Sequence, residues 1–151
     1  MSRCIMYQQK SLSVESKITL LLKVLQWFED FCSQYVSDLN WSNIQFYQLH
    51  LALTEGFTNA VRHAHKQLPS DTIIDIDLIL SDDRLDIQIW DYGQPFNPDN
   101  LPEPIPGRPQ LGGYGWFLLK KLADQVVYQR SLDERNCLLI RKYLKSVISN
   151  Q

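Results

Sequence analysis

Glu55, Asn59 and His63 recur at every fourth position of the chain. On a helix, at about 100° per residue, successive members lie only about 40° apart. Glu55 then falls opposite the apolar stripe of Phe46, Leu53 and Phe57, with Asn59 beside it. A carboxylate and an amide one turn apart can share a divalent cation and its waters, or one can bind metal while the other accepts a proton. The same three residues also read as a solvated polar face, which many helices carry. Asp91 is a second candidate. Leu85, Ile87, Ile89 and Asp91 share one parity, so Asp91 continues the inward face of its strand while Trp90 points the other way. A carboxylate there costs free energy unless hydrogen-bonded, and the exocyclic amine of a ligand is one possible partner. The alternative is a strand-end Asp that caps the following turn. Gly93 allows close backbone approach.

Gly112-Gly113-Tyr114-Gly115 opens a third candidate, because amides free of side chains at a helix N-terminus suit phosphate oxygens. It is not a Walker A loop, since no Lys-Ser/Thr follows, and no strand directly precedes it as a dinucleotide fingerprint requires. Arg108, Lys120 and Lys121 are cations nearby in sequence, each of which also reads as an ordinary surface charge.

The elements that must hold these residues follow from periodicity. Residues 3–10 give a short first strand. From Ser13 the spacing of Val14, Ile18, Leu21, Leu22, Leu25, Phe28, Cys32, Tyr35 and Val36 predicts one long helix, with Ser13 as its cap and Glu15 at the positive end of its dipole. Ser42-Asn43-Ile44-Gln45 fits a capping box, with Trp41 placed to staple onto Phe46, and the helix runs to about Lys66. Period two then marks a hairpin: Ile74, Ile76, Leu78 and Leu80, a turn at Ser81-Asp82-Asp83, and Leu85, Ile87 and Ile89. Six of the seven prolines fall in the loop 92–110, a length typical of lids and binding loops. A helix over 116–123 and strands over 125–130 and 137–143 close the chain. The expected fold is an α/β two-layer sandwich of the α+β kind, a mainly antiparallel mixed sheet covered on one face by helices.

Composition sets the frame. The 151 residues suit a single domain, and 44% apolar with 21% charged residues is ordinary for a globular core. A net charge of -2 gives no basic field for nucleic acid or an anionic membrane. Cys4, Cys32 and Cys137 are odd in number and far apart, so neither a disulfide framework nor a thiolate zinc site can be read from them. The N-terminus carries no signal-peptide core, and the apolar run near Leu20 is too short to span a bilayer, so a cytoplasmic location is expected.

The three motifs together resemble a known family. Glu55-Gly-Phe-Thr-Asn59-Ala60-Val-Arg-His63-Ala64 is similar to the N box of the GHKL (Bergerat-fold) ATPases, Asp91-Tyr-Gly93-Gln-Pro95-Phe96 to their adenine-binding box, and the run from Gly112 to Leu118 to their second glycine box. Order and spacing agree over roughly residues 11–145. Within that superfamily the Asn-Ala-x-x-His-Ala run, the Gly-x-Pro-Phe-Asn-Pro of residues 93–98, and Asp124 and Tyr128 resemble the stand-alone anti-sigma-factor serine kinases. The resemblance implies ATP and Mg²⁺ as cofactors. Glu55 would be the base for a serine hydroxyl, Asn59 the metal ligand, and His63 a neighbour of the phosphates. Asp91, with Gly93 and Phe96, would read adenine. Gly112, Gly113, Tyr114 and Gly115 would bind phosphates beneath a lid of residues 97–111. It also implies a homodimer whose protein partners are an anti-sigma-factor antagonist with a STAS-like domain and a sigma factor. Gln94-Pro95 and the lack of a threonine in the last strand depart from the family pattern. Two other readings compete: a non-catalytic adapter that sequesters a partner, and the ATPase domain of a histidine kinase or topoisomerase-like machine. Against the last, His50 is followed by Leu-Ala-Leu rather than by a phosphoacceptor motif, and no transducer domain is expected.

Overall fold

The computed structural model describes residues 7–35, 42–95, 97, 106 and 114–144. Among the described residues five strands form one sheet in the order β1-β2-β3-β5-β4: β1 (Gln8–Glu15), β2 (Ile73–Leu80), β3 (Arg84–Asp91), β4 (Gln125–Arg130) and β5 (Asn136–Tyr143). All four strand pairings among the described residues are antiparallel, so the mainly antiparallel sheet expected from sequence is found, with no parallel pair among them. Three α-helices among the described residues cover it: α1 (Leu21–Tyr35), α2 (Asn43–Asn59) and α3 (Tyr114–Leu122). None is long and apolar enough to cross a membrane.

The parity of the hairpin decides its two faces. Ile74, Ile76, Leu78, Leu80, Leu85 and Ile87 are fully buried beneath the helices. The opposite face carries a polar ladder. Trp90 Nε1 donates to Asp77 Oδ2 at 2.9 Å, and Arg135 lies 4.5 Å from the Trp90 ring. Arg141 holds the buried Asp86 carboxylate with two bonds of 2.8 and 2.9 Å.

The first strand and first helix differ from expectation. The strand lies at 8–15 rather than 3–10, and the helix begins only after a 3₁₀ turn at Ile18–Leu20. Val14 is buried as an inward strand residue, and its spacing to Ile18 matches a helical step by coincidence. Ser13 does not cap a helix; its hydroxyl donates across the sheet to Asp75. Glu15 ends the strand and pairs with Lys17 at 2.5 Å. Within α1, Leu25, Phe28 and Cys32 of the expected stripe are buried, while Leu22 is 79% exposed and Phe31 joins the buried face.

The second helix starts as its sequence requires. Ser42 Oγ accepts from Gln45 N at 3.2 Å, and Gln45 Oε1 accepts from Ser42 N at 3.4 Å. Trp41 and Val36 lie outside the described residues. Phe28 of α1 stacks on Phe46 of α2 at 5.8 Å between centroids. Gly56 lets α2 sit low on the sheet, since a Cβ there would come within 2.6 Å of Ile89 Cδ1. After Asn59 the helix widens into a π turn, Ala60–Ala64.

Candidate functional site

Burial of Leu53 and Phe57 pins the inner face of α2 and leaves Glu55 and Asn59 half-buried on its flank. There they meet α3, which is anchored to the core by the fully buried Leu119. A Cβ on Gly115, at the start of α3, would lie 2.9 Å from Asn59 Nδ2, 3.0 Å from Asn59 Oδ1 and 3.1 Å from Glu55 Oε2. The first turn of α3 is thus seated on the amide and carboxylate of α2, in space that a Cβ would crowd. A hard divalent cation suits this donor set, an amide oxygen beside a carboxylate, with the remaining ligands coming from substrate oxygens and water. Among the described residues no three His, Cys, Asp or Glu side chains converge, so an all-protein metal cage is not formed there.

Asp91 ends β3 and is 3% exposed. Its Oδ1 accepts from Gly93 N at 2.9 Å and from Asn136 Nδ2 at 2.8 Å, while Oδ2 accepts from Tyr128 Oη at 3.2 Å. The bond to Gly93 N is the turn cap that sequence offered as the alternative to ligand binding. An ionised carboxylate has about four acceptor positions, so these three bonds leave room for one more donor, on Oδ2. Asn136 is fully buried and also donates to Gly93 O at 2.8 Å. Burial and the neighbouring Asp91 charge push the Tyr128 phenol well above its usual range, which keeps it a donor.

The turn after Asp91 is fixed against the π turn. A Cβ on Gly93 would lie 2.1 Å from the Ala64 carbonyl oxygen, so this position admits no side chain. Next to it His65, 3% exposed, accepts from Tyr92 N through Nε2 at 2.8 Å. Its Nδ1 is buried with no partner among the described residues. Burial holds the imidazolium form of His65 below the usual histidine range, against the opposing pull of Asp91.

The structure therefore brings Glu55, Asn59 and Gly115 together, and separately Asp91 and Gly93 with the end of the π turn. His63 is exposed. Tyr114 is the first residue of α3, and Phe96, Arg108, Gly112 and Gly113 fall outside the described residues, as does most of the expected lid. Lys120 is exposed and lies 5.9 Å from the Phe117 ring. Sequence reasoning missed His65 and Asn136. Asn136 stands directly opposite Asp91 in the pairing of β3 with β5, a register that no local sequence signal sets. No periodicity singles out His65, because the π turn shifts its direction by a residue.

The chain belongs to the histidine kinase-like ATPase domain family, whose pattern matches residues 14–142. It is similar to the serine-protein kinase RsbW of Staphylococcus epidermidis, 36% identical over 91 residues, covering 54% of this chain and 57% of that protein. The serine-protein kinase RsbW of Listeria monocytogenes is 28% identical over 104 residues, with 64% of each chain covered. That of Bacillus mycoides is 31% identical over 106 residues, covering 64% of this chain and 63% of the relative. The chain thus spans less than two thirds of the length of these relatives. Its fold is shared with a crystal structure of the RsbU and RsbW domains of a Mycobacterium tuberculosis protein, at a TM-score of 0.64 and 13% identity, covering 91% of this chain and 32% of that one.

Proposed function

We propose that residues 1–151 form a single ATP-dependent serine protein kinase domain of the anti-sigma-factor type. It phosphorylates an anti-sigma-factor antagonist with a STAS-like domain, sequesters a sigma factor, and works as a cytoplasmic homodimer. The observation that carries this reading is the seating of Gly115 on Asn59 and Glu55. The helix start offers its free amides to phosphate oxygens at the same place where a carboxylate can receive a proton. Kinship with proteins named serine-protein kinases supports a serine hydroxyl as the acceptor.

In this reading Asp91 offers its remaining acceptor position to the adenine amine, and Gly93 gives the ring close approach. Asn59 would hold Mg²⁺, which would supply neutralisation of phosphate charge. Glu55 takes the proton from the serine hydroxyl as its oxygen forms a bond to the γ-phosphorus and the bond to ADP breaks. His63 flanks the phosphate side.

The test pairs two variants with one substrate, an antagonist domain from the same genome. Glu55→Gln keeps ATP affinity within a few-fold and lowers single-turnover transfer by about 10²- to 10⁴-fold. Asn59→Ala loses both affinity and transfer. A Glu55→Gln protein that transfers at the wild-type rate removes Glu55 as the base. A wild type that binds ATP yet transfers to no antagonist leaves the adapter reading in its place.

A further inference from the structure

We infer that His65 is a positioning residue for the nucleotide site: its unprotonated Nε2 holds the turn that carries Asp91 and Gly93 against the end of α2. The inference rests on the nucleotide-binding reading of Asp91 given above.

The argument is geometric. A backbone N–H can only donate, so the 2.8 Å contact from Tyr92 N requires a lone pair on His65 Nε2. The proton of the neutral ring is then on Nδ1. Tyr92 lies between Asp91, whose carboxylate accepts the Gly93 N–H, and Gly93, which is pressed on the Ala64 carbonyl. One bond from the ring therefore fixes the middle of a three-residue turn whose two ends are the proposed adenine contacts. The π turn makes this possible, since its extra residue swings His65 inward while His63 stays outside.

Protonation removes the lone pair and sets an N–H against the Tyr92 N–H. The charges around the ring oppose each other only in part. Asp91 on β3 favours the imidazolium, whereas its carboxylate is already engaged by Asn136 of β5 and by Tyr128 of β4. On the ring's own segment Arg62, His63 and Lys66 are exposed to solvent. Burial of the ring, 3% exposed, then favours the neutral form. The turn should loosen as the pH falls below the ordinary histidine range.

The experiment compares wild type with His65→Gln and His65→Leu. Gln can place an amide oxygen near the position of Nε2 and cannot be protonated; Leu offers no acceptor. Mg-ATP dissociation constants are measured by calorimetry from pH 8 to pH 5. Taking the ratio of each variant to wild type cancels the titration of the nucleotide itself. At pH 8, Gln should stay within about threefold of wild type and Leu should be weaker by about five- to tenfold. Toward pH 5 wild type should lose affinity and the Gln variant should keep it. In parallel, ¹⁵N spectra of the nucleotide-free wild type should show the Nδ1–H tautomer, and the Tyr92 amide proton should move with the His65 titration. If wild type binds ATP and the three profiles run parallel, the positioning role is overturned while the nucleotide site stands. A Tyr92 amide that ignores the His65 titration also overturns it. If wild type binds no ATP at any pH, the nucleotide reading falls and this inference falls with it.

Discussion

Gly93 and Gly115 show how differently two glycines can limit a site. At Gly115 a methyl group would meet only the ends of the Asn59 and Glu55 side chains, which can swing aside. Gly115→Ala should therefore fold normally, with helix propensity changing stability by no more than about 1 kcal/mol in its favour. The swing moves the two groups proposed for catalysis, so phosphoryl transfer should fall at least about tenfold, a position error of this kind being costly in the transition state. At Gly93 the methyl would meet backbone, 2.1 Å from the Ala64 oxygen, and nothing can swing. Gly93→Ala should lose several kcal/mol of stability, about 2–4 by urea titration, before any binding is measured. Equal stability losses for the two variants would contradict this account. Asp91→Asn belongs to the same scale. Its amide would replace one acceptor oxygen in a site where three donors converge, so either Tyr128 or the Gly93–Asn136 pair faces an N–H. Thermal melts should show a loss of about 1–3 kcal/mol alongside a weaker ATP affinity. A variant of wild-type stability that has lost only ATP binding would show that the internal bonds matter less than the ligand.

Among the elements, α2 carries most of the site and depends on its first turn for its direction. The box of Ser42 and Gln45 closes two helix-end donors, and Gln45 Nε2 reaches further to the Tyr143 carbonyl at 2.9 Å, tying the helix start to the end of β5. Ser42→Ala should cost about 1 kcal/mol in urea unfolding. Gln45→Ala should cost more, since the residue is 5% exposed and Tyr143 loses a partner as well. If Ser42→Ala were the worse of the two, the tie to β5 would be energetically idle. At its other end α2 widens into the π turn, and the same helix thus presents Glu55 and Asn59 to α3 and His65 to β3. π turns are rare and recur at functional sites, which fits a segment that must face two directions over a short stretch of chain.

For the molecule as a whole, the lowered pKa of His65 gives stability a pH dependence of known sign. The neutral ring is favoured in the folded state, so its contribution is full above the unfolded value of about 6.5 and is lost as pH falls through the lower folded value. Global unfolding measured by denaturant should show stability declining below about pH 6, and His65→Gln should flatten that part of the curve. A wild-type curve flat between pH 7 and pH 5 would show that the ring is solvated in the folded protein. Arg141 and Asp86 add a second whole-molecule feature, because their paired bonds tie β5 to β3 on the face that the helices leave uncovered. The guanidinium is held charged by that carboxylate and so takes no part in the acid transition.

The sequence by itself determined the hairpin, the capping box and the last two strands, because each is written in short-range order. Alternation sets strand faces, and a Ser-x-x-Gln box needs only four residues. Asp91 was legible for the same reason, as one more step of a period-two run. Position within the sheet was not legible. Residues 8–15 alternate only weakly, and pairing with β2 selected strand over helix for Ser13 and Val14. Nor could spacing show that Gly115 closes on Asn59 and Glu55, since that contact joins segments more than fifty residues apart through the burial of Leu119. His65 and Asn136 were hidden for a related reason. Each acts through one hydrogen bond or two to a distant segment, and which segment comes within 3 Å is decided only when the core has packed.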